Sequence, residues 1–344
     1  MFKQALDEVL LGKDLSEELA EGAVVALLKG EVDEIKQASF LTALKIKGET
    51  PQEVAAFART MRKFAEPVNT HGMDVIDLAG TGGDGKATFN VSTSVAFVIG
   101  GLDVKVAKHG NHGVSGPVGS ADVLGALGIP YNVEKEMVED CLKENGVAFL
   151  YAPRFQPATG NVAKVRRTLG FRTIFNILGP LTNPASPTSQ LMGIYDESMA
   201  ATAANVLVEL GAKRAMVVRS FDGMDEVSAL TLTKVYENNQ GEEKNYVINP
   251  LDYGFTGGDK NFANCVVKSA KESADLITQI LSGEKGLARD MVAINAAAAI
   301  YVYGFAKDLA EGIKMANESI DSGAALAKLQ QMQKWGKHIN NIAS

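Results

Sequence analysis

Val75-Ile76-Asp77-Leu78-Ala79-Gly80-Thr81-Gly82-Gly83-Asp84-Gly85 is the stretch that decides the fold. A short run of strand-forming residues, Val75 to Leu78, feeds directly into a turn rich in glycine. Ser92-Thr93-Ser94 then leads an apolar helix through Val95, Ala96, Val98 and Ile99. Strand, glycine turn and helix in that order place backbone N–H groups and a helix N-terminus around an anion. Gly80 to Gly83 permit close approach because no Cβ stands in the way. For one glycine pair, a tight turn with no ligand is the plainer reading. The hydroxyls of Thr88, Ser92 and Thr93, and a second loop of the same kind after the next strand, shift the balance towards a phosphate-rich ligand. No Gly-Lys-Ser/Thr closes the turn, so it is not a P-loop, and its spacing is not that of a dinucleotide site.

Working outward, Val104 to Ala107 reads as the second strand, followed by the turn Lys108-His109-Gly110-Asn111-His112-Gly113. Its lysine suits an extended phosphorylated ligand, against the alternative of a solvated lysine on a turn. Strands recur at Ala148 to Leu150 and Ala215 to Val218 with helices between them, which implies an α/β fold built on a mostly parallel sheet covered by helices. The first seventy residues read as helices only. Thr50, Pro51 and Glu53 supply an N-cap, a proline at the first helical position and a capping-box carboxylate. The expected organisation is a small helical domain over 1–70, joined by helices from about 165–190, and a larger α/β domain over 71–344. The polar stretch 237–249 reads as a surface loop or an edge hairpin.

Composition bounds the function. The 344 residues carry 34 Lys+Arg against 41 Asp+Glu, a net charge of −7, which argues against a dedicated nucleic-acid binder. Cys141 and Cys265 are isolated, so neither a disulfide framework nor a zinc spacing is present, as in a reducing compartment. The amino end shows no signal-peptide pattern. The longest apolar run, Ala293 to Phe305, is interrupted by Asn295 and too short to span a bilayer. These readings predict a soluble, cytoplasmic protein with no membrane partner.

Two further groups of residues bear chemistry. Asp222-Gly-Met-Asp225-Glu226 follows the predicted strand 215–218, at the end of a parallel strand where open α/β sheets bind ligands. Hard oxygen ligands beside a phosphate site suit magnesium shared with substrate; a solvated acidic turn is the alternative. Arg166, Arg167 and Arg172 flank Leu169-Gly170, and any of them could bind a carboxylate bidentately or be structural.

Gly80-Thr-Gly-Gly-Asp84, Thr88-Phe-Asn-Val-Ser-Thr93, Lys108-His-Gly-Asn111, Gly119-Ser-Ala-Asp122 and Arg172-Thr-Ile-Phe-Asn-Ile-Leu-Gly-Pro-Leu-Thr-Asn-Pro184 together resemble the anthranilate phosphoribosyltransferases, essentially end to end. That family joins anthranilate to phosphoribosyl pyrophosphate (PRPP) in tryptophan biosynthesis, releasing pyrophosphate. The resemblance implies that Gly80, Gly83, Asp84, Thr88, Asn90, Val91, Ser92, Thr93, Lys108, Gly110, Asn111, Gly113, Gly116 and Ser120 hold PRPP, with the loop from Lys108 to Gly116 closing over it. It implies further that Ser92, Asp225 and Glu226 bind Mg2+, and that Gly80, Asn111 and Arg166 meet anthranilate. A homodimer through the helical domain is implied as well. The chain departs from the family pattern at His112 (usually Arg), Gly116 (Ser), Gly125 (Glu), Gln156 (His) and Thr159 (Met). The phosphoribosyl half of the pattern is intact, and the acceptor half is altered. A pyrimidine nucleoside phosphorylase-like enzyme stands behind this reading because Lys108 is followed by His-Gly-Asn. A nucleic-acid-binding relative on the same scaffold is disfavoured by the net charge.

Overall fold

The computed structural model describes residues 1–113, 118–256 and 261–343. Four helices open the chain: α1 (Phe2–Leu10), α2 (Glu17–Leu28), α3 (Glu34–Lys47) and α4 (Pro51–Phe64). Ser16, Asp33 and Thr50 each turn a side-chain oxygen onto a first-turn amide of the helix that follows, satisfying donors that the helix itself cannot. Glu53 reaches beyond its own capping box. Its Oε1 accepts from Leu15 N at 2.8 Å, and its Oε2 accepts from Thr50 N at 2.8 Å and from Lys47 Nζ at 2.9 Å. One buried carboxylate thus ties the α1–α2 connection, the end of α3 and the start of α4 together.

Beyond α4, five parallel strands and an antiparallel hairpin form one sheet in the order β3-β2-β1-β4-β5-β6-β7. β1 (Ile76–Gly80) leads through α5 (Val91–Gly100) to β2 (Val106–Gly110), and α6 (Ser120–Ala126) and α7 (Lys135–Asn145) lead to β3 (Val147–Tyr151). The chain then returns through α8 (Ala152–Phe155), α9 (Gly160–Leu169) and α10 (Phe175–Leu181) to β4 (Ser189–Gly193), on the opposite side of β1. From there α11 (Ala200–Glu209) leads to β5 (Arg214–Ser220). Strand order therefore reverses between β1 and β4, and the carboxyl ends of those two strands flank the crevice where such sheets take ligands.

The stretch read as a surface loop or edge hairpin is a hairpin. β6 (Thr233–Asn239) and β7 (Glu242–Ile248) join through Gln240-Gly241, both at positive φ, the two-residue turn that matches strand twist. The remaining helices, α12 (Ala270–Leu281), α13 (Leu287–Tyr303), α14 (Leu309–Asp321) and α15 (Ala324–Ala343), cover one face of the sheet with α5.

Side-chain alternation divides the core. Leu191, Met216 and Val218 join the cluster formed with α5 and α12–α15, whereas Met192, Ala215 and Val217 join the cluster shared by α1–α4 and α9–α11. The architecture is a small helical domain packed against a larger α/β domain with a mostly parallel sheet. All four strands expected from sequence differ in their bounds, and β4 is not among them. β1 and β2 each run on to the first glycine of their turns, so Lys108 and His109 lie inside β2, paired in register with Phe149 and Leu150. Both are buried, which excludes the solvated-lysine reading; polar residues ended the predicted strand, but helices on both faces enclose it.

Glu53→Ala should cost roughly 3–5 kcal/mol, as it leaves the amides of Leu15 and Thr50 without their acceptor and takes from Lys47 one of its two carboxylate partners. Thr50→Ala, losing one cap, should cost about 1 kcal/mol. Urea unfolding of the two variants checks this; equal losses would show that Glu53 is no more than a cap.

Candidate active site

At the carboxyl ends of β1 and β4, Gly80 and Gly193 are register partners. A Cβ on Gly80 would lie 2.5 Å from Asp225 Oδ2, and one on Gly193 would lie 1.5 Å from Asp225 O. Two side chains are absent from the same rung, and the segment after β5 lies in the space they leave. Asp225 Oδ2 accepts from Gly82 N at 2.7 Å, joining the acidic segment to the glycine turn. Gly82 and Gly83 have φ of 63° and 78°, a region that side chains disfavour.

The turn is braced from outside the cleft. Arg172 donates to Gly82 O at 2.8 Å and stacks over the Tyr195 ring at 4.1 Å. Further along, Phe89 N and Val267 N donate to Cys265 O and Ala87 O, which pins the turn to the segment ahead of α12. In α5 the first intrahelical bond runs from Ser94 N to Asn90 O, so helix geometry gives the amides of Ser92 and Thr93 no acceptor of their own. The helix N-terminus is thereby presented to an anion.

A cleft of about 360 Å³ gathers most of the expected residues: Gly80, Gly83, Asp84, Thr88, Asn90, Ser92, Lys108, Gly110, Asn111, Gly113, Ser120, Arg166, Asp225 and Glu226. Val91 and Thr93 stand behind its wall, buried in the core. Gly116 lies outside the described residues, as does part of the loop expected to close over the ligand. Gly113 and Gly119, on either side of residues 114–117, are held by Asp122, whose Oδ2 accepts from Gly113 N at 3.0 Å and Gly119 N at 2.8 Å. His112 completes this clip, with Nδ1 2.5 Å from Asp122 Oδ1 and its ring set edge-on to Tyr131 and Tyr151.

Charge in the cleft is crowded. Burial, together with neighbouring Asp84, pushes the Asp225 carboxyl up to about 6, and burial with Asp225 and Asp84 pushes Glu226 well above its usual range. Glu226 Oε2 finds no hydrogen-bond partner among the described residues. Carboxylates left in this state fit a divalent cation, which prefers hard oxygen donors. No cage of three or more metal-ligating His, Cys, Asp or Glu side chains occurs among the described residues, so a magnesium ion here would take its remaining oxygens from substrate, Ser92 and water. Lys108 donates to Leu78 O from within β2. Burial lowers its pKa, while the charges of Asp77, Glu226 and Asp225 act to raise it.

The acceptor side differs in character. Arg166 stacks over the Phe175 ring at 5.3 Å, and burial holds its guanidinium below the ordinary range. No carboxylate among the described residues pairs with it. Gln156, also on this side, is buried, and its amide nitrogen donates to Thr182 O at 2.5 Å and Thr182 Oγ1 at 2.8 Å. His109 is kept neutral by burial, which pushes it down to about 4.

Two family descriptions match the chain: the helical bundle domain of a glycosyl transferase family over residues 3–65, and the a/b domain of that family over residues 72–326. The anthranilate phosphoribosyltransferase of Clostridium kluyveri is 48% identical over 96% of this chain and 98% of its own, and that of Moorella thermoacetica is 45% identical over 97% and 98%. The chain belongs to the anthranilate phosphoribosyltransferase family. Among solved family members, the Thermus thermophilus enzyme superposes with a TM-score of 0.90 at 39% identity, covering 97% of this chain and 99% of its own. The Saccharomyces cerevisiae enzyme in complex with PRPP and Mg superposes at 0.87 with 28% identity, covering 98% of each chain.

Sequence reasoning within this family member missed Gly193, Arg172 as the brace of the turn, and Asp77, whose buried carboxylate underlies Lys108 and accepts from His109 N at 3.1 Å. Gly193 carried a signal: it closes the strand 189–193 as Gly80 closes 76–80. Asp222 is not part of the cleft; it closes its own turn by accepting from Ser228 Oγ at 2.9 Å.

A carboxyl whose pKa is raised by folding disfavours the folded state once ionised, so stability is lost as pH rises from the unfolded value through the folded one. In magnesium-free buffer at pH 8, Asp225→Asn with Glu226→Gln should therefore be more stable than wild type, by on the order of 2 kcal/mol. The advantage should shrink as pH falls below about 6. Thermal melts across this range check it; a double variant less stable at pH 8 would contradict the crowding.

Proposed function

We propose that this chain transfers the phosphoribosyl group of PRPP to the amine of anthranilate, giving N-(5-phosphoribosyl)anthranilate and pyrophosphate, a step of tryptophan biosynthesis. The observation that carries this reading is one cleft in which a glycine turn, the N-terminus of α5 and three carboxylates face Arg166, a half-buried arginine with no carboxylate partner among the described residues.

In this reading the turn from Gly80 to Asp84, Thr88 and the α5 start from Asn90 to Thr93 cradle the phosphates. Lys108, Gly110, Asn111, Gly113, Gly116 and Ser120 complete that site. An anionic donor beside Asp84, Asp225 and Glu226 is repelled unless a cation intervenes, so Ser92, Asp225 and Glu226 would hold Mg2+. When bound, that ion supplies positive charge to the oxygens of the departing pyrophosphate. The amides of the turn and helix start add fixed dipoles to the same end.

Reaction breaks the anomeric C–O bond to pyrophosphate, which leaves with the bonding pair, and forms a C–N bond from the amine lone pair, after which the nitrogen gives up one proton to water. An aromatic amine is already neutral near pH 7, so its lone pair needs no strong base. The neutral, weakly basic His109 accords with that. Arg166, with Gly80 and Asn111, would hold the acceptor carboxylate and orient the amine; a desolvated guanidinium binds a carboxylate strongly and bidentately.

A homodimer through the helical domain belongs to the same proposal, supported by Leu10, Leu11, Ile35 and Ile46, large apolar side chains exposed on or beside α1 and α3. A cytoplasmic location is supported by two buried free thiols, Cys141 and Cys265. No helix among the described residues is long and apolar enough to cross a membrane.

Loss of anthranilate fluorescence in the presence of PRPP and magnesium tests the activity, and no loss at saturation overturns it. Arg166→Ala should raise the anthranilate KM roughly 10–100-fold, the equivalent of one charge-assisted hydrogen bond, while the PRPP KM stays within about twofold. A damaged PRPP constant with an unchanged anthranilate constant would move Arg166 to the donor side.

A further inference from the structure

We infer that Asn295 is a positioning residue for the acidic pair, a clamp that holds Asp225 and Glu226 at the carboxyl end of the sheet; the inference rests on the donor site proposed above. Asn295 interrupts the apolar run of α13 and is 4% exposed. Burying an amide among alanines is costly unless its hydrogen bonds are made, and here two of the three are made to one residue. Its Oδ1 accepts from Val227 N at 2.9 Å, and its Nδ2 donates to Val227 O and to Met291 O, both at 2.8 Å.

Both backbone polar groups of the residue next to Glu226 are therefore held by a single side chain 68 positions later in the sequence. Paired bonds of opposite sense fix the orientation of the chain as well as its position; one bond would leave it free to rotate. From the other side, Gly80 and Gly193 admit Asp225 to within contact of β1 and β4. The acidic pair is thus caught between a glycine rung and the amide of Asn295, and Asn295 borders the small cavity beneath Ser92, Asp225 and Glu226. Groups that orient ligands from behind influence metal affinity without touching the metal.

Asn295→Ala tests the assignment, with Ala297→Gly as a control. Ala297 lies on α13 against α14 at Gly312, so its loss weakens the helix without releasing Val227. The first readout is the rise in melting temperature with PRPP, followed against magnesium concentration; the second is the magnesium concentration for half-maximal turnover. Asn295→Ala should move both magnesium midpoints upward about tenfold or more, with the anthranilate KM unchanged. Ala297→Gly should lower the melting temperature and leave both midpoints in place. Magnesium curves for Asn295→Ala that superimpose on wild type, at whatever melting temperature, overturn the clamp. Should Asn295→Ala fail to fold, Asn295→Ser, whose hydroxyl can serve one Val227 group, is read against the same outcomes. A wild-type protein that gives no magnesium-dependent shift with PRPP and consumes no anthranilate overturns the donor site and the clamp together. A responsive wild type with unmoved variants overturns the clamp alone.

Discussion

The structure turns on the close approach of Asp225 to two neighbouring strands. Gly80 and Gly193 occupy the same rung of the β1–β4 ladder, and a methyl group on either would collide with Asp225. Because this rung lies at the reversal of strand order, the acidic segment after β5 can cross the mouth of the crevice rather than stand off from it. The glycine turn follows directly from Gly80, so phosphate-binding amides and the acids come from opposite sides to one point. The sheet supplies the rigid frame, and missing side chains supply the space.

What that geometry costs is electrostatic. Asp84, Asp225 and Glu226 converge in a site where solvent is partly excluded, and their ionised forms repel. The buried ammonium of Lys108, within reach of Asp77 and the acidic pair, offsets a part of this. The protein therefore holds a preformed demand for positive charge that a magnesium-bearing pyrophosphate would meet. Strain of this kind is common where a site is built for its ligand rather than for the empty fold. Arg166 shows the opposite sign on the acceptor side: a half-buried cation resting on an aromatic face, with no carboxylate partner among the described residues.

Much of this was legible from local signals. The turn after Leu78, the start of α5 and the acids after β5 each announce themselves through residue type and order, and the cleft brings them together. The capping residues marked the helix starts of the opening bundle. Lys108 was misplaced onto a turn because a charged side chain ordinarily ends a strand; its burial depends on Asp77 of the adjacent strand and on helices folded over both faces, which no local window contains. Asn295 was visible as an interruption, but its partner lies 68 residues away. Gly193 became informative only through its register with Gly80. Boundaries and long-range partners were hidden because tertiary packing sets them.

In the proposed function, Asp225 and Glu226 would hold magnesium against the pyrophosphate of the donor. Turnover measured against magnesium concentration, for wild type and for Asp225→Asn with Glu226→Gln, tests it most directly. Amides of the same shape bind a hard divalent cation far less well than carboxylates. Turnover of the double amide should be lower by orders of magnitude, about 100-fold or more, with partial recovery only at much higher magnesium. Superimposable curves for the two proteins would contradict it and remove these acids from the site.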